Sequence, residues 1–208
     1  MRRNFLITAA ATAALPTIGW AQTSQLQDQI KPYLQVKPVA GEENSVRVFF
    51  SPGCQYSRMY LQFFKNLAAT LPESKKFIYT PLVNKADGIS FAMGFAAVAR
   101  FYPNHVPNFI EASMIGVQDK GISTTSWAGI DRIARAAQIP FSVPKLVKDN
   151  ETLIITDVRN YVSVRHNLQV LNTPAVAVSG TYVVTPEFTK GDAQLFSQLV
   201  NGIISMAR

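Results

Sequence analysis

Apolar positions along the chain follow two patterns, short unbroken runs and longer stretches that repeat every three or four residues, and their order predicts the architecture. The run Val46, Val48, Phe49, Phe50 is short and nearly all apolar, the pattern of a central strand covered on both faces. Ser51-Pro52-Gly53 ends it. Tyr56, Met59, Tyr60, Phe63, Phe64, Leu67 and Leu71 then recur at helical steps as far as Pro72, predicting an amphipathic helix packed on that strand. Phe77-Ile78-Tyr79 with Leu82-Val83 is the next strand. The opening therefore reads strand, helix, strand, the unit of a parallel pair joined by a crossover.

From Ile89 to Leu146 no convincing strand occurs. Phe91, Phe95, Val98 and Phe101, then Phe109 and Met114, then Trp127, Ile130, Ile133, Ala134 and Ala137 favour several helices, separated by Pro103, Pro107, Gly121, Pro140 and Pro144. Asn150 to Leu168 can be read two ways. Leu153-Ile154-Ile155 is β-prone, whereas Leu153, Ile154, Val158, Tyr161, Val162 and Arg165 fit one long helix, and the helix is the expectation kept. Together these make a helical insertion over about residues 89–168. Pro174 to Val178 and Thr181 to Val184 are apolar runs separated by Ser179-Gly180, a hairpin signal. Leu195, Phe196, Leu199, Ile203 and Ile204 mark a last helix from about Asp192 to Met206. The chain shows no internal repeat or linker, so the expectation is one α/β domain over residues 22–208.

The first twenty-one residues change the setting. Arg2 and Arg3, an apolar stretch from Phe5 to about Ile18, and the small residues Gly19 and Ala21 have the three parts of a cleaved export signal over residues 1–21. The stretch contains Pro16 and is shorter than the roughly twenty residues of a membrane span, so no integral span is expected in the mature chain. Arg2-Arg3-Asn4-Phe5-Leu6 fits either the twin-arginine or the ordinary secretory route. The localisation implied is the periplasm. The net charge of +7 falls to +5 once Arg2 and Arg3 leave, and Lys75-Lys76 is then the only adjacent basic pair. Such scattered charge argues for a solvated surface and against a nucleic-acid partner.

The chain has a single cysteine, Cys54, in a setting where structural cysteines come in pairs. A lone cysteine is most often a buried, inert thiol or an intermolecular bridge. Here it stands where a strand gives way to a helix, between Pro52-Gly53 and the polar Gln55, with Ser51 nearby. The first turn of a helix favours a thiolate through its unpaired N–H groups and the helix dipole. Ser57 lies one helical turn on, where its hydroxyl can donate to the sulfur. Cys54 is therefore read as a reactive thiol.

At these residues the sequence resembles a known family. Val46-Arg-Val-Phe-Phe-Ser-Pro-Gly-Cys54-Gln-Tyr-Ser57 is similar to the strand and active-site helix of the DsbA family, exported thiol-disulfide oxidoreductases with a thioredoxin-like fold and a helical insertion. Val170-Leu-Asn-Thr173-Pro174-Ala-Val-Ala-Val-Ser-Gly180-Thr-Tyr is similar to that family's second signature, where a cis proline faces the cysteine and opens a hairpin. The resemblance covers most of the mature chain. It implies catalytic roles for Cys54 and Ser57. It also implies a client-binding rim at Gln55, Tyr56, Thr173 and Pro174, with the N–H and C=O of Thr173 pairing with an extended client segment. Thr at position 173 is shared more with isomerase-like relatives than with strong oxidases.

Three departures matter more than the matches. Ser57 stands where the family has its second cysteine, so no transferable internal disulfide can form. Tyr56 replaces the histidine often found between the two cysteines, and Val48 replaces an acidic residue often found six positions before the first. The reading that follows is a monothiol exchanger, oxidoreductase or isomerase. Its Cys54 attacks a disulfide in an exported cysteine-containing polypeptide, and a second client thiol, a small thiol or a membrane redox partner resolves the mixed disulfide. The alternative is a chaperone or assembly factor that holds polypeptides in the groove around Thr173-Pro174, with Cys54 incidental. A glutathione-using enzyme on a related fold is a third, weaker reading, disfavoured by the leader.

Other chemistries lack residues. His105 and His166 have no metal-ligand spacing with each other or with Cys54, and read as solvated or capping. The aromatic run Phe91 to Phe101 reads as core, and no glycine-rich phosphate loop occurs. Neither a metal nor a cofactor is expected.

Overall fold

The computed structural model describes residues 31–83 and 88–207. The leader over residues 1–21 and the arm from Gln22 to Gln29 lie outside the described residues. Strands β1 (Leu34–Gln35), β2 (Ser45–Phe50), β3 (Lys76–Pro81), β4 (Ala175–Val178) and β5 (Tyr182–Val184) form one sheet in the order β1-β5-β4-β2-β3. Only β2 and β3 run parallel; the other pairs are antiparallel. Around the sheet lie α1 (Gln55–Met59), α2 (Leu61–Thr70), α3 (Gly88–Phe101), α4 (Val106–Lys120), α5 (Trp127–Ala136), α6 (Val143–Asp149), α7 (Glu151–Asn167) and α8 (Ala193–Met206), with short 3-10 turns at Pro103–His105 and Pro186–Thr189.

Every residue of β2 is buried because both faces of the sheet are covered. Side chains alternate along a strand. Val46 and Val48 meet Val176, Val178 and Val184 on one face, closed by Tyr60, Phe64 and Leu67 and by Phe196, Val200 and Ile203 of α8. Phe49 on the other face meets Ala175, Ala177 and Val183 beneath Val164 and Leu168. A third core lies within the insertion, where Phe91 and Phe95 pack with Phe109, Met114, Ile130 and Ile133.

The ambiguous segment is helix α7, and its packing explains why. Ile154 and Val158, one turn apart, face the insertion core, while Val164 reaches the sheet core. Leu153 is half exposed. A strand would send alternate residues to one side, whereas here the buried positions keep helical spacing and tie the insertion to the sheet. The insertion runs from Gly88 to Asn167, one residue earlier at each end than expected.

Three elements differ from the sequence reading. The helix expected from Tyr56 to Leu71 is two helices, α1 and α2, meeting at Tyr60 with φ −89° and ψ 0°. The Tyr60 ring is buried against Phe196, and its hydroxyl donates to the Gly191 carbonyl at 3.2 Å. Strand β3 stops at Pro81, so Leu82 and Val83 fall outside it, although Leu82 still donates its N–H to the Phe50 carbonyl. The short edge strand β1 carries no alternating apolar run and was not anticipated.

The hairpin signal is realised. Ser179 and Gly180 take positive φ of 51° and 62°, and the Thr181 N–H closes on the Val178 carbonyl at 3.1 Å. Gly180 also packs too tightly for a side chain. A Cβ there would lie 2.8 Å from the Glu42 Cβ and 2.9 Å from the Val39 carbonyl oxygen. The loop before β2 is thereby laid against the hairpin turn.

Candidate functional site

Cys54 follows β2 by four residues. Its N–H bonds to the Ser51 carbonyl at 3.1 Å, which turns the chain out of the strand. With φ −83° and ψ 116° it is the N-cap of α1, one position before the first turn in which it was expected. Its carbonyl accepts the Arg58 N–H, and its sulfur accepts the Ser57 backbone N–H at 3.5 Å. The cysteine thus serves as the cap, a role that Ser, Thr, Asp or Asn fills in most helices.

The second half of the site comes from β4. Antiparallel pairing sets Phe49 opposite Ala175 and Val48 opposite Val176, so the residue before Ala175 arrives at the end of the sheet from which Cys54 emerges. The Thr173–Pro174 peptide bond is cis. The Cys54 thiol lies 3.1 Å from the Thr173 carbonyl oxygen, to which its S–H donates. The two signatures therefore meet.

Ser57 is fully buried. Its hydroxyl oxygen accepts the Ser51 N–H at 3.3 Å, so the hydrogen bond from Ser57 to the sulfur is made by its backbone and not by the hydroxyl as expected. Gln55 and Tyr56 are exposed beside the sulfur, Tyr56 by 56%. Met59 on the same short helix and Leu171 ahead of Thr173 are exposed by 55% and 75%, and sequence reasoning missed both. Exposure in large apolar side chains on both segments is the signal that only the fold reveals.

Two further polar features escaped the sequence. Gln118, near the end of α4, donates its side-chain amide to the carbonyls of Pro52 at 2.7 Å and Cys54 at 3.2 Å. Its neighbour Asp119 forms a two-bonded ion pair with Arg58 of α1, at 2.5 and 2.9 Å. No local motif announces contacts made across more than sixty residues.

Val48, where the family often has an acid, is indeed wholly buried among apolar residues. A buried carboxylate does exist, but elsewhere. Glu42 accepts from Arg47 Nε at 2.9 Å and Arg47 Nη2 at 2.6 Å, and also from the Ser45 hydroxyl at 2.6 Å, while Arg47 Nη1 donates to the Thr80 hydroxyl. Burial pushes the Glu42 carboxyl up, but the bonds from Arg47 and Ser45 outweigh it and hold the group below its ordinary value. Glu42 sits by the hairpin turn, the end of β4 opposite Pro174. A proton relay to Cys54 from this acid is thus not part of the design.

His105 is the last residue of the 3-10 turn and the N-cap position of α4, without a side-chain capping bond, its Nδ1 3.4 Å from the Ala137 carbonyl, and His166 lies in the last turn of α7. Among the described residues, no group of three or more His, Cys, Asp or Glu could hold a metal ion, and no helix is long and apolar enough to cross a membrane.

No protein-family model matches the sequence, and no curated protein matches it. Solved structures do. DsbA from Pseudomonas aeruginosa superposes with a TM-score of 0.69 at 15% identity, covering 85% of this chain and 94% of that one. The chain has the DsbA fold. The oxidoreductase DsbA from Xylella fastidiosa gives a TM-score of 0.68 at 15% identity, covering 84% of this chain and 94% of that one. A cysteine-to-serine variant of Proteus mirabilis DsbA, solved with a non-covalently bound peptide, gives 0.63 at 17% identity, covering 81% and 95%. The DsbA fold accounts for both halves of the molecule, a thioredoxin-like sheet and the α3 to α7 insertion, as the sequence resemblance implied.

Proposed function

We propose that this protein exchanges disulfides in exported, cysteine-containing polypeptides in the periplasm, through Cys54 alone. The observation that carries the reading is the Cys54 sulfur 3.1 Å from the Thr173 carbonyl beside the cis proline. One segment supplies a nucleophile and the other an open backbone edge for an extended chain. The Proteus mirabilis DsbA with its bound peptide supports such a groove by analogy.

The step balances without a second cysteine. The Cys54 thiolate attacks one sulfur of the client disulfide, the client S–S bond breaks as the mixed disulfide forms, and the departing client thiolate takes a proton. A second client thiolate, or a small thiol, then attacks the mixed disulfide and releases Cys54. No net oxidation occurs, so the reaction is isomerisation or, where two equivalents of a small thiol are consumed and leave as their own disulfide, reduction. Net oxidation requires Cys54 to arrive already as a mixed disulfide or sulfenic acid, supplied by a redox partner. Before a client can pair with Thr173, the bond from the thiol to its carbonyl must open. Tyr56, Met59 and Leu171 supply an apolar rim that suits unfolded polypeptide.

The test is to mix the purified protein at pH 7 with a peptide carrying an intermolecular disulfide, quench with acid and weigh the products. An adduct on Cys54 that a thiol releases supports exchange. If Cys54 alkylates readily yet gives no adduct, while reduced, unfolded client still binds, the exposed apolar rim makes the protein a polypeptide-binding chaperone instead.

A further inference from the structure

Helix α1 has five residues, too few to hold its own geometry in water, since isolated helices of fewer than about a dozen residues are marginal. Its cap is the reacting sulfur itself, and that contact weakens each time the sulfur enters a disulfide. Something outside the helix must therefore hold the backbone of Cys54.

We infer that Gln118 is the positioning residue for Cys54, acting from the helical insertion on the carbonyls either side of Gly53. Its side-chain amide donates to Pro52 at 2.7 Å and to Cys54 at 3.2 Å, and the Cys54 carbonyl is also the first acceptor of α1, bonding to the Arg58 N–H. Two consequences follow. The bonds fix the orientation of the peptide that leads from Cys54 into α1, and hence where the sulfur points. They also place two N–H donors of one neutral amide against the backbone that carries the sulfur, next to where a thiolate develops. A carboxylate in the same place donates nothing and adds a negative charge. The Asp119–Arg58 pair beside it, exposed to solvent, ties the same end of α4 to α1.

The consequence for exchange rests on the function proposed above, but the geometry is tested without a client. Gln118→Met keeps the side-chain length and removes both donors; Gln118→Glu keeps the shape and reverses the polarity. Alkylation of Cys54 by iodoacetamide is followed from pH 5 to 9 in wild type and both variants, with the urea midpoint of each measured alongside. Both variants are expected to alkylate about tenfold more slowly at pH 7, equivalent to about 1.4 kcal/mol of barrier. Gln118→Glu should be the slower, and its deficit should narrow as the pH rises. A role confined to stability lowers the midpoint and leaves the alkylation profile of the folded protein unmoved. Either variant, folded and alkylating at the wild-type rate throughout, overturns the inference. Failure of the exchange reading looks different, with alkylation responding to Gln118 as described but no mixed disulfide formed by wild type.

Discussion

The Cys54 thiol and the Thr173 carbonyl, 119 residues apart in sequence, are hydrogen-bonded at 3.1 Å across the end of the sheet. The bond uses the S–H as donor, so it belongs to the resting thiol, and it occupies the acceptor that the proposed pairing with a client strand would use. Replacement at Cys54 separates chemistry from scaffold. Cys54→Ser should abolish mixed-disulfide formation completely, as read by mass spectrometry. Its thermal midpoint should be no lower than wild type, because serine is among the preferred N-cap residues and its oxygen can accept the Ser57 N–H that the sulfur now accepts. A marked loss of stability would show that the sulfur's contacts hold the loop.

The buried Arg47–Glu42 pair makes a second prediction. Arg47→Ala strands a carboxylate whose partners are buried with it, and breaking such a pair costs about 3–5 kcal/mol, measurable by urea denaturation at pH 7. The pH dependence has a definite sign. Glu42 is held below its ordinary carboxyl value, so the stability it contributes is present above about pH 4.5 and is lost as the pH falls through its lowered value. Glu42→Gln should therefore be less stable than wild type at pH 7, with the gap closing as the solution is acidified below about pH 4.5. A gap that stays constant with pH would mean that the carboxylate charge contributes nothing.

Gly180 supplies a third. Its φ of +62° and the 2.8 Å and 2.9 Å separations that a Cβ would have from Glu42 and Val39 make Gly180→Ala both strained and overpacked. A loss of roughly 1–3 kcal/mol in the urea transition is expected. Because the added methyl presses on Glu42, the double variant with Glu42→Gln should depart from additivity.

These cases show where the sequence was informative. The strand, hairpin and insertion were legible because period and turn chemistry are local: Val46 to Phe50 declares a doubly covered strand, and Ser179-Gly180 declares its turn. The meeting of Cys54 with Thr173 was legible only through the two signatures taken together. Arg47 was hidden because one charged residue inside an apolar run reads as surface until its partner, five residues earlier, is seen to fold back beside it. Gln118 left no trace, since nothing in its helix distinguishes a glutamine that faces solvent from one that bonds two carbonyls in another layer. The break at Tyr60 was equally silent, having neither proline nor glycine to mark it.

Ser57 separates the monothiol reading from a dithiol one. Residues three apart across the start of a helix lie at Cα separations within the roughly 4.4–6.8 Å that a disulfide tolerates, and the Ser57 backbone nitrogen is already 3.5 Å from the Cys54 sulfur. Ser57→Cys should close an internal disulfide, seen as a loss of two mass units and of both titratable thiols. The buried position of Ser57 then matters. Its hydroxyl oxygen lies against the Ser51 N–H beneath the surface, so the new sulfur is shielded and attack by external thiols falls on Cys54. That asymmetry is what a transferable disulfide requires, with one exposed sulfur to be attacked and one covered sulfur to leave and later resolve. With an external oxidant to regenerate the disulfide, the variant should oxidise a reduced peptide with turnover, where wild type, lacking an internal disulfide to transfer, should be a poor catalyst of net oxidation. Tyr56 in place of the histidine often found there in the family should keep that turnover modest. If the disulfide forms and no turnover appears, the groove rather than the missing cysteine limits exchange, and polypeptide binding becomes the better account of the site.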